Sequence, residues 1–403
     1  MTLPKLLYVG DVPVECSYHG SALLYRLLED YPADRLHVIE CGIQSEDRRR
    51  LVHGSYAYIP YPLQRLRTTR FTTYYLSVLA VYAQYRLKSV VLKTMQNCKP
   101  DAILTVGHGF SWIAAAQLAE QLGVPLHFIV HDDVPSTIEL SSRAKRFFQV
   151  RFSQVYRDAA SRLCVSPYMV DEYRERYSAS GVVLYPGRSK QVSAITYQEP
   201  RPKTTSTLRF AFAGSLNSKG FIDSLNSLCA VLDELSVNAE ILMYGPFTSE
   251  DAKKSGFQSP RARFRGLVPA AEIVETLQRE ADILYLPISF SDQDRCNMAI
   301  HFPSKLTDYS ATGLPVLVFG PVYASAIRWC RDANCGVLTA SGDVELLECV
   351  KRLSDCETRV KLGRITYEVG RQAFSHTGTS QVLFNQLNRF NNQSESQKKK
   401  HLH

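Results

Sequence analysis

The residues best placed to do chemistry lie between 282 and 320, in DILYLPISFSDQDRCNMAIHFPSKLTDYSATGLPVLVFG. An apolar run ends at Pro287, a polar loop follows, and Phe302-Pro303-Ser304-Lys305 opens a helix that runs from Ser304 to Ala311. Proline suits the first helical position, where its missing N–H would be unpaired in any case. Gly313, with Pro315 behind it, marks the end of the helix. The free N–H groups of Ser304 and Lys305, the helix dipole and the Lys305 charge then form an anion site. Asp308 follows Ser304 by four residues, on the same face one turn deeper. A carboxylate there can accept hydrogen bonds from vicinal hydroxyls, such as those of a ribose, while the helix start holds phosphate. A plain surface helix with a capping acid accounts for the same residues equally well.

Other candidates lie at strand ends. His131 closes the apolar run Leu126 to Val130 and is followed by Asp132 and Asp133, a position suited to ligand contact. A lone histidine is more often structural, and the flanking acids favour the functional reading. His108, after Gly107, either lines a cleft or serves a turn. Asp292-Gln293-Asp294 has the form of a DxD metal signature, but a solvated loop, or one that covers a bound ligand, fits its context better. The ten cysteines contain no CxxC, and the closest pair is Cys330 and Cys335, so zinc ligation has no spacing to support it. They read as reduced thiols. Cys164 and Cys296 have no base at motif spacing, which argues against a thiol nucleophile. No GxGxxG follows a strand, which disfavours a nicotinamide fold.

The elements that must position these residues alternate along the chain. In the first half, strand-like runs at Leu6 to Val9, Leu36 to Glu40, Ala102 to Val106, Leu126 to Val130, Leu163 to Ser166 and Val182 to Tyr185 are separated by helical patterns. The alternation breaks between Gln191 and Thr207, then resumes from Leu208. Such spacing predicts βαβ units, with a parallel sheet covered on both faces. The expected organisation is an N-terminal domain over 1–190, a linker over 191–207 and a second domain over 208–376. A C-terminal helix over 377–391 and a disordered tail over 392–403 complete it. Two doubly wound α/β domains would bind ligands at the carboxyl ends of their strands, in the cleft between them. The 403 residues, 45% of them hydrophobic and 21% charged, exclude a disordered or fibrous chain. Lys and Arg exceed Asp and Glu by 47 to 39, a net charge of +8 that favours a phosphate-bearing ligand or an anionic surface. MTLPKLLYVGDVP reads as a first strand rather than a signal peptide, and no apolar run is long enough to span a membrane. The expected place is the cytoplasm, with a peripheral position at the inner face of the membrane left open.

Residues 302–318, FPSKLTDYSATGLPVLV, resemble the nucleotide-sugar-binding helix of GT-B glycosyltransferases, chiefly the retaining family-4 type. In that family an acidic residue five positions before a Gly-x-Pro-Val turn binds the donor's ribose and diphosphate, and Asp308 holds that position. Phe212 to Leu225, FAGSLNSKGFIDSL, is similar to the family's phosphate loop. This implies roles for Gly214, Ser215 and Lys219, the last on the diphosphate. Ile241 to Gly245 resembles the next strand and its glycine turn. Phe264 to Pro269, FRGLVP, resembles the segment whose backbone reads the nucleobase, which implicates Leu267 and Val268. The resemblance also implies that Pro303, Ser304 and Lys305 hold the donor. Val165 to Gly187 is similar to the last strand, helix and interdomain strand of the N-terminal domain. Val130-His131-Asp132 resembles the strand end that supplies a histidine facing the donor sugar, and Tyr18-His19-Gly20-Ser21 stands in the place of the first glycine-rich loop. The implied fold is two Rossmann-like, doubly wound domains facing across a cleft. The implied activity is metal-independent transfer of a sugar from a nucleoside-diphosphate donor to a hydroxyl acceptor (glycan, lipid-linked or small molecule), with retention. The nucleotide sugar is a co-substrate, with no cofactor, and His131, Lys219 and Asp308 carry the catalysis.

The sequence departs from the family at several points. The family carries two glutamates eight residues apart; Asp308 replaces the second, and Ile300 stands at the first. Ser215 replaces the usual arginine, and the first loop keeps a single glycine, Gly20. A sugar-nucleotide epimerase on the same fold and a non-catalytic nucleotide-sugar-binding protein are the two alternatives. Leu63 to Lys93 carries Arg65, Arg67, Arg70, Arg86, Lys88 and Lys93 among tyrosines, with no acidic residue. Such a segment suits an anionic membrane surface, and a long helix with a solvated basic face fits it as well. No nucleic-acid motif accompanies the charge.

Overall fold

The computed structural model describes residues 3–16, 19–42, 50–51, 55–95, 98–199, 207–216 and 219–400, with side chains for all of these except His19 and 391–400. The chain divides into two compact units, Met1–Tyr185 with Thr379–His403, and Pro186–Gly378.

The first unit is built on a seven-stranded sheet. Its strands are β1 (Leu6–Gly10), β2 (Leu36–Gly42), β3 (Ser55–Pro60), β4 (Ala102–Val106), β5 (Leu126–Val130), β6 (Ser161–Cys164) and β7 (Val182–Val183), in the spatial order β3-β2-β1-β4-β5-β6-β7. Every ladder is parallel. Strands β1, β4 and β5 are buried at every residue, as a sheet covered on both faces requires. One face packs Leu6, Tyr8, Leu36 and Leu104 with Leu24 and Leu28 of the helix His19–Leu28. On the helix Ser111–Leu122, Trp112 packs edge-on against Phe148 and Phe152 of the helix Ser142–Asp158, and against Phe128 of β5.

The second unit has a six-stranded parallel sheet of β8 (Leu208–Ala213), β9 (Ala239–Tyr244), β10 (Ala262–Gly266), β11 (Ile283–Pro287), β12 (Val316–Phe319) and β13 (Leu338–Ala340). The order is β10-β9-β8-β11-β12-β13. This is the doubly wound order, with its reversal between β8 and β11, as the first sheet reverses between β1 and β4. Phe210, Phe212, Tyr285 and Leu317 form the core with Leu225, Leu228 and Val350.

Three details differ from the sequence expectation. β3 was not foreseen. Of the expected linker 191–207, residues 200–206 lie outside the described residues. The rest packs on the second unit: the helix Lys190–Ala194 buries Val192 against Val274 and Ala311, and Tyr367 Oη donates to the Ile195 carbonyl at 2.6 Å. The last helix runs His376–Lys400, through most of the stretch expected to be a tail. From Thr379 it belongs to the first unit, where Leu383 and Leu387, one turn apart, enter the core and Phe384 meets Tyr31 edge-on.

Candidate functional site

Each sheet reverses its strand order at one place, and ligands bind such sheets there, beyond the carboxyl ends of the strands. In the first unit a cavity of about 370 Å³ occupies this place. Asp11 comes from the end of β1, His108 from the end of β4, and His131 and Asp132 from the end of β5, while Gly20 comes from the first helix. The structure therefore brings Gly20, His108, His131 and Asp132 together. The side chain of His19 lies outside the described residues. Burial lowers the His131 pKa, His108 lowers it further, and Asp132 opposes them, so the imidazole is neutral near pH 7. A neutral ring can donate from one nitrogen and accept at the other. Asp133 faces away from this work: its buried carboxylate takes bonds of 2.8 and 3.0 Å from Arg176 and one of 3.0 Å from Tyr173.

Sequence reasoning missed Asp11, although LLYVGD places it at a strand end just as Val130 places His131. Its Oδ2 accepts from the Phe110 and Ser111 N–H groups at 2.9 and 2.7 Å and from Ser111 Oγ at 2.5 Å; its Oδ1 accepts from Tyr61 Oη at 2.5 Å. Asp11 thus caps the helix Ser111–Leu122 from another strand. Burial raises its pKa despite these donors. Gly109, at φ +64°, leaves room for it: a Cβ there would collide with the Asp11 carboxylate.

In the second unit the loops after β8 and β9 nearly touch. Gly214 N–H donates to the Tyr244 carbonyl at 2.8 Å, and a Cβ on Gly245 would collide with the Gly214 carbonyl. The Lys305 chain lies over Gly214, where a Cβ would strike it. Its Nζ sits 5.6 Å from the Phe212 ring centre and 5.9 Å from that of Phe221. Among the described residues no carboxylate pairs with Lys305, and burial alone pushes its pKa down to about 8. A cation held in apolar surroundings without a counter-charge favours an incoming anion.

The helix carrying Lys305 is shorter than the sequence implied. It spans Ser304–Tyr309, after which Ala311 and Thr312 bond three residues back instead of four. With only six residues its dipole is weak, and the positive character of the site rests on Lys305. Asp308 is half-buried and faces Arg188, which sequence reasoning also missed. The Arg188 side chain is fully buried: Nε donates to the Thr307 carbonyl at 2.9 Å and one terminal nitrogen to Ser310 Oγ at 2.8 Å. Burial lowers its pKa to about 10, and Asp308 offsets part of that. No local spacing could have announced Arg188, whose partners lie over a hundred residues further on.

The remaining candidates are more open. Lys219 begins the helix Lys219–Glu234, is exposed, and binds both Asp223 oxygens at 2.8 Å. An exposed pair of this kind is worth under ~1 kcal/mol, so Lys219 can exchange Asp223 for a phosphate at little cost. Ser215 follows Gly214 in the same loop. Leu267, exposed, and Val268 follow the end of β10 at Gly266. Ile300 is a buried apolar residue. Among the described residues no group of three His, Cys, Asp or Glu is placed to hold a metal. A second cavity of about 460 Å³, lined by Asp282, Pro315 and Arg359, opens at the amino-terminal edge of this sheet, opposite the strand ends where ligands bind.

Residues 25–187 match the family model described as glycosyl transferase 4-like domain. No curated protein matches the sequence. Solved structures do. HepE from Anabaena in complex with UDP superposes with a TM-score of 0.67 at 13% identity, covering 96% of this chain and 100% of that one. Trehalose 6-phosphate synthase from Burkholderia multivorans gives 0.66 at 12% identity, with 98% of each chain covered. WaaG, a glycosyltransferase involved in lipopolysaccharide biosynthesis, gives 0.62 at 13%, with 94% and 98% covered. At these identities the likeness is one of fold, and the fold is GT-B. In the first unit, which holds nearly all of the matched residues, the switch-point cavity is the one that gathers His131, Asp132 and Asp11.

Proposed function

We propose that the protein is a metal-independent glycosyltransferase that moves a sugar from a nucleoside-diphosphate donor to a hydroxyl acceptor with retention. The observation that carries this reading is Lys305: a half-buried cation with no carboxylate partner among the described residues, lying over Gly214 at the strand-order reversal of the second sheet. A diphosphate there meets Lys305 and, once Asp223 lets go, Lys219. The loop at Gly214, Ser215 and Gly245 lets its backbone approach closely. Asp308, held against Arg188, takes the ribose hydroxyls, and the backbone at Leu267 and Val268 reads the base. Pro303 and Ser304 set the start of the helix that carries Lys305. As the diphosphate leaves it gathers negative charge, and fixed cations stabilise that charge more than the ground state. In retaining chemistry of this kind the leaving phosphate takes the acceptor's proton, so no strong side-chain base is required. His131, neutral near pH 7, orients the sugar or the acceptor by hydrogen bonding, with His108, Asp132 and Gly20 lining the same cavity.

A contact of residues 63–93 with an anionic membrane surface accompanies this reading without depending on it, supported by their acid-free charge and exposed aromatics. The test is a thermal-shift screen of nucleotide sugars, begun with UDP and UDP-glucose because solved structures of HepE hold them. A ligand that binds only the folded state raises the melting temperature. The hit is then tested for release of the nucleoside diphosphate across an acceptor panel. Binding with no turnover favours the non-catalytic alternative, for which the apolar Ile300 speaks; a changed sugar without acceptor means an epimerase; no shift with any nucleotide sugar overturns the reading.

A further inference from the structure

The segment expected to suit a membrane folds as one continuous helical run: Thr72–Tyr82, a wider turn over Ala83–Leu87, then Lys88–Thr94. Its inner face buries Tyr75, Leu79, Ala83, Leu87 and Val91. Its outer face is also apolar. Phe71, Tyr74, Val78, Val81, Tyr85 and Leu92 are all exposed, Tyr74 and Tyr85 to 73% each. Their spacing alternates three and four residues from 71 to 85, a single stripe along the helix. Exposed apolar residues scattered singly mean nothing, but a contiguous stripe marks a covered surface.

What covers it is indicated by the charge. Arg65, Arg67, Arg70, Arg86 and Lys93 flank the stripe and are exposed, and no acidic residue occurs from 63 to 93. The helix Ser142–Asp158, tied to this one by a 3.1 Å bond between Ser77 and Ser141, adds exposed Arg143 and Arg146. A second copy of the chain on the stripe would set cations against cations with no acid to offset them. Aromatic and aliphatic side chains rimmed by cations instead match the boundary of an anionic bilayer, where tails take the stripe and headgroups the charges. The described helices include none long and apolar enough to cross a membrane, so a contact through this stripe would run along the surface.

We propose that the stripe of Tyr74, Val78, Val81 and Tyr85 seats the N-terminal domain on an anionic lipid surface. The inner side of the same helix places Tyr82 edge-on to Tyr61, which donates to Asp11 in the wall of the switch-point cavity. About one helix diameter, ~10 Å, therefore separates the seated face from that cavity. For the proposed transfer this favours an acceptor hydroxyl carried on a membrane-borne amphiphile, an assignment that rests on that reading; the seating does not.

The experiment is flotation of the full chain with vesicles of phosphatidylglycerol and phosphatidylcholine, or of phosphatidylcholine alone. Binding is expected to the anionic vesicles only, falling as salt rises. The triple variant Tyr74→Ser, Val78→Ser, Tyr85→Ser should lose at least tenfold of that binding. Its melting temperature should be unchanged, because the three side chains support no core. Arg67→Gln with Arg70→Gln should weaken binding and flatten its salt dependence while leaving the stripe intact. Equal binding to both vesicle types, binding to neither, or a triple variant that floats like the wild type overturns the proposal. So does a wild-type dimer in sedimentation that the triple variant dissolves, since a second copy then covers the stripe. Nucleotide binding by the same preparation in solution is read separately, so a failure of seating is distinct from a failure of the donor site.

Discussion

Replacement of Lys305 by methionine should stabilise the free protein and at the same time weaken its hold on a nucleoside diphosphate. Burial depresses the Lys305 pKa to about 8, from an ordinary value near ~10.4. The folded state therefore disfavours the charge. Below pH 8 the lysine is protonated whether folded or unfolded, and the full cost is present; as pH climbs from about 8 toward ~10.4 the folded protein sheds the proton first, and stability rises. With allowance for its partial exposure, the charge costs about 1–3 kcal/mol. Lys305→Met should recover this as a higher melting temperature, at ~2–4 °C per kcal/mol for a unit of this size. The rise should be largest below pH 8 and shrink above it. Binding runs the other way. The diphosphate prefers the charged lysine, and a charge-assisted contact is worth ~1.5–3 kcal/mol, or roughly ten- to hundredfold in affinity. Wild-type affinity should fall by up to ~tenfold per pH unit above 8, and Lys305→Arg should abolish that inflection because arginine keeps its proton. Calorimetric titration from pH 7.5 to 10, with melting curves of the unliganded proteins, reads both effects. A flat wild-type affinity over this range, or a Met variant that binds like the wild type, refutes the reasoning.

Asp11→Ala removes the carboxylate that accepts from Ser111, Phe110 and Tyr61 and leaves these donors without their partner. The N-terminal domain should lose about 1–3 kcal/mol in denaturant unfolding, with nucleotide affinity unchanged. Leu383→Ala should cost about 2–5 kcal/mol, because this residue of the last helix is buried in the core of the first unit; denaturant melts that show no loss would remove the last helix from that core.

Much of the fold was legible because parallel strands covered on both faces must be short apolar runs. β1, β4, β5, β8, β11 and β12 all declare themselves that way. β3 does not: its tyrosines are half-exposed at the sheet edge, so no apolar run marks it. The return of the last helix to the first unit was hidden as well, since Leu383 and Leu387 say that a face is buried but not against what. The same limit applied at the sites. Strand-end residues such as His131 and Asp132 could be read from their place after an apolar run, and Lys305 and Asp308 from their place on a short helix. Arg188 could not, because its partners Thr307 and Ser310 are brought to it only by the folded chain. Lys219 was read from its place in the loop that enters a helix, yet the sequence did not disclose that Asp223 one turn on holds its charge.

The central claim, that Asp308 and Lys305 form a nucleoside-diphosphate site, is tested most directly by calorimetry of Asp308→Asn against a nucleoside diphosphate and its sugar conjugate. The substitution keeps size and one acceptor oxygen but removes the carboxylate charge. The account predicts normal melting and a loss of roughly tenfold or more, from ~1.5–3 kcal/mol of charged hydrogen bonding. The loss should be similar for the two ligands, since the contact is to the ribose and not to the sugar. An Asp308→Asn protein that binds both as tightly as wild type would contradict it, leaving the resemblance of 302–318 architectural only.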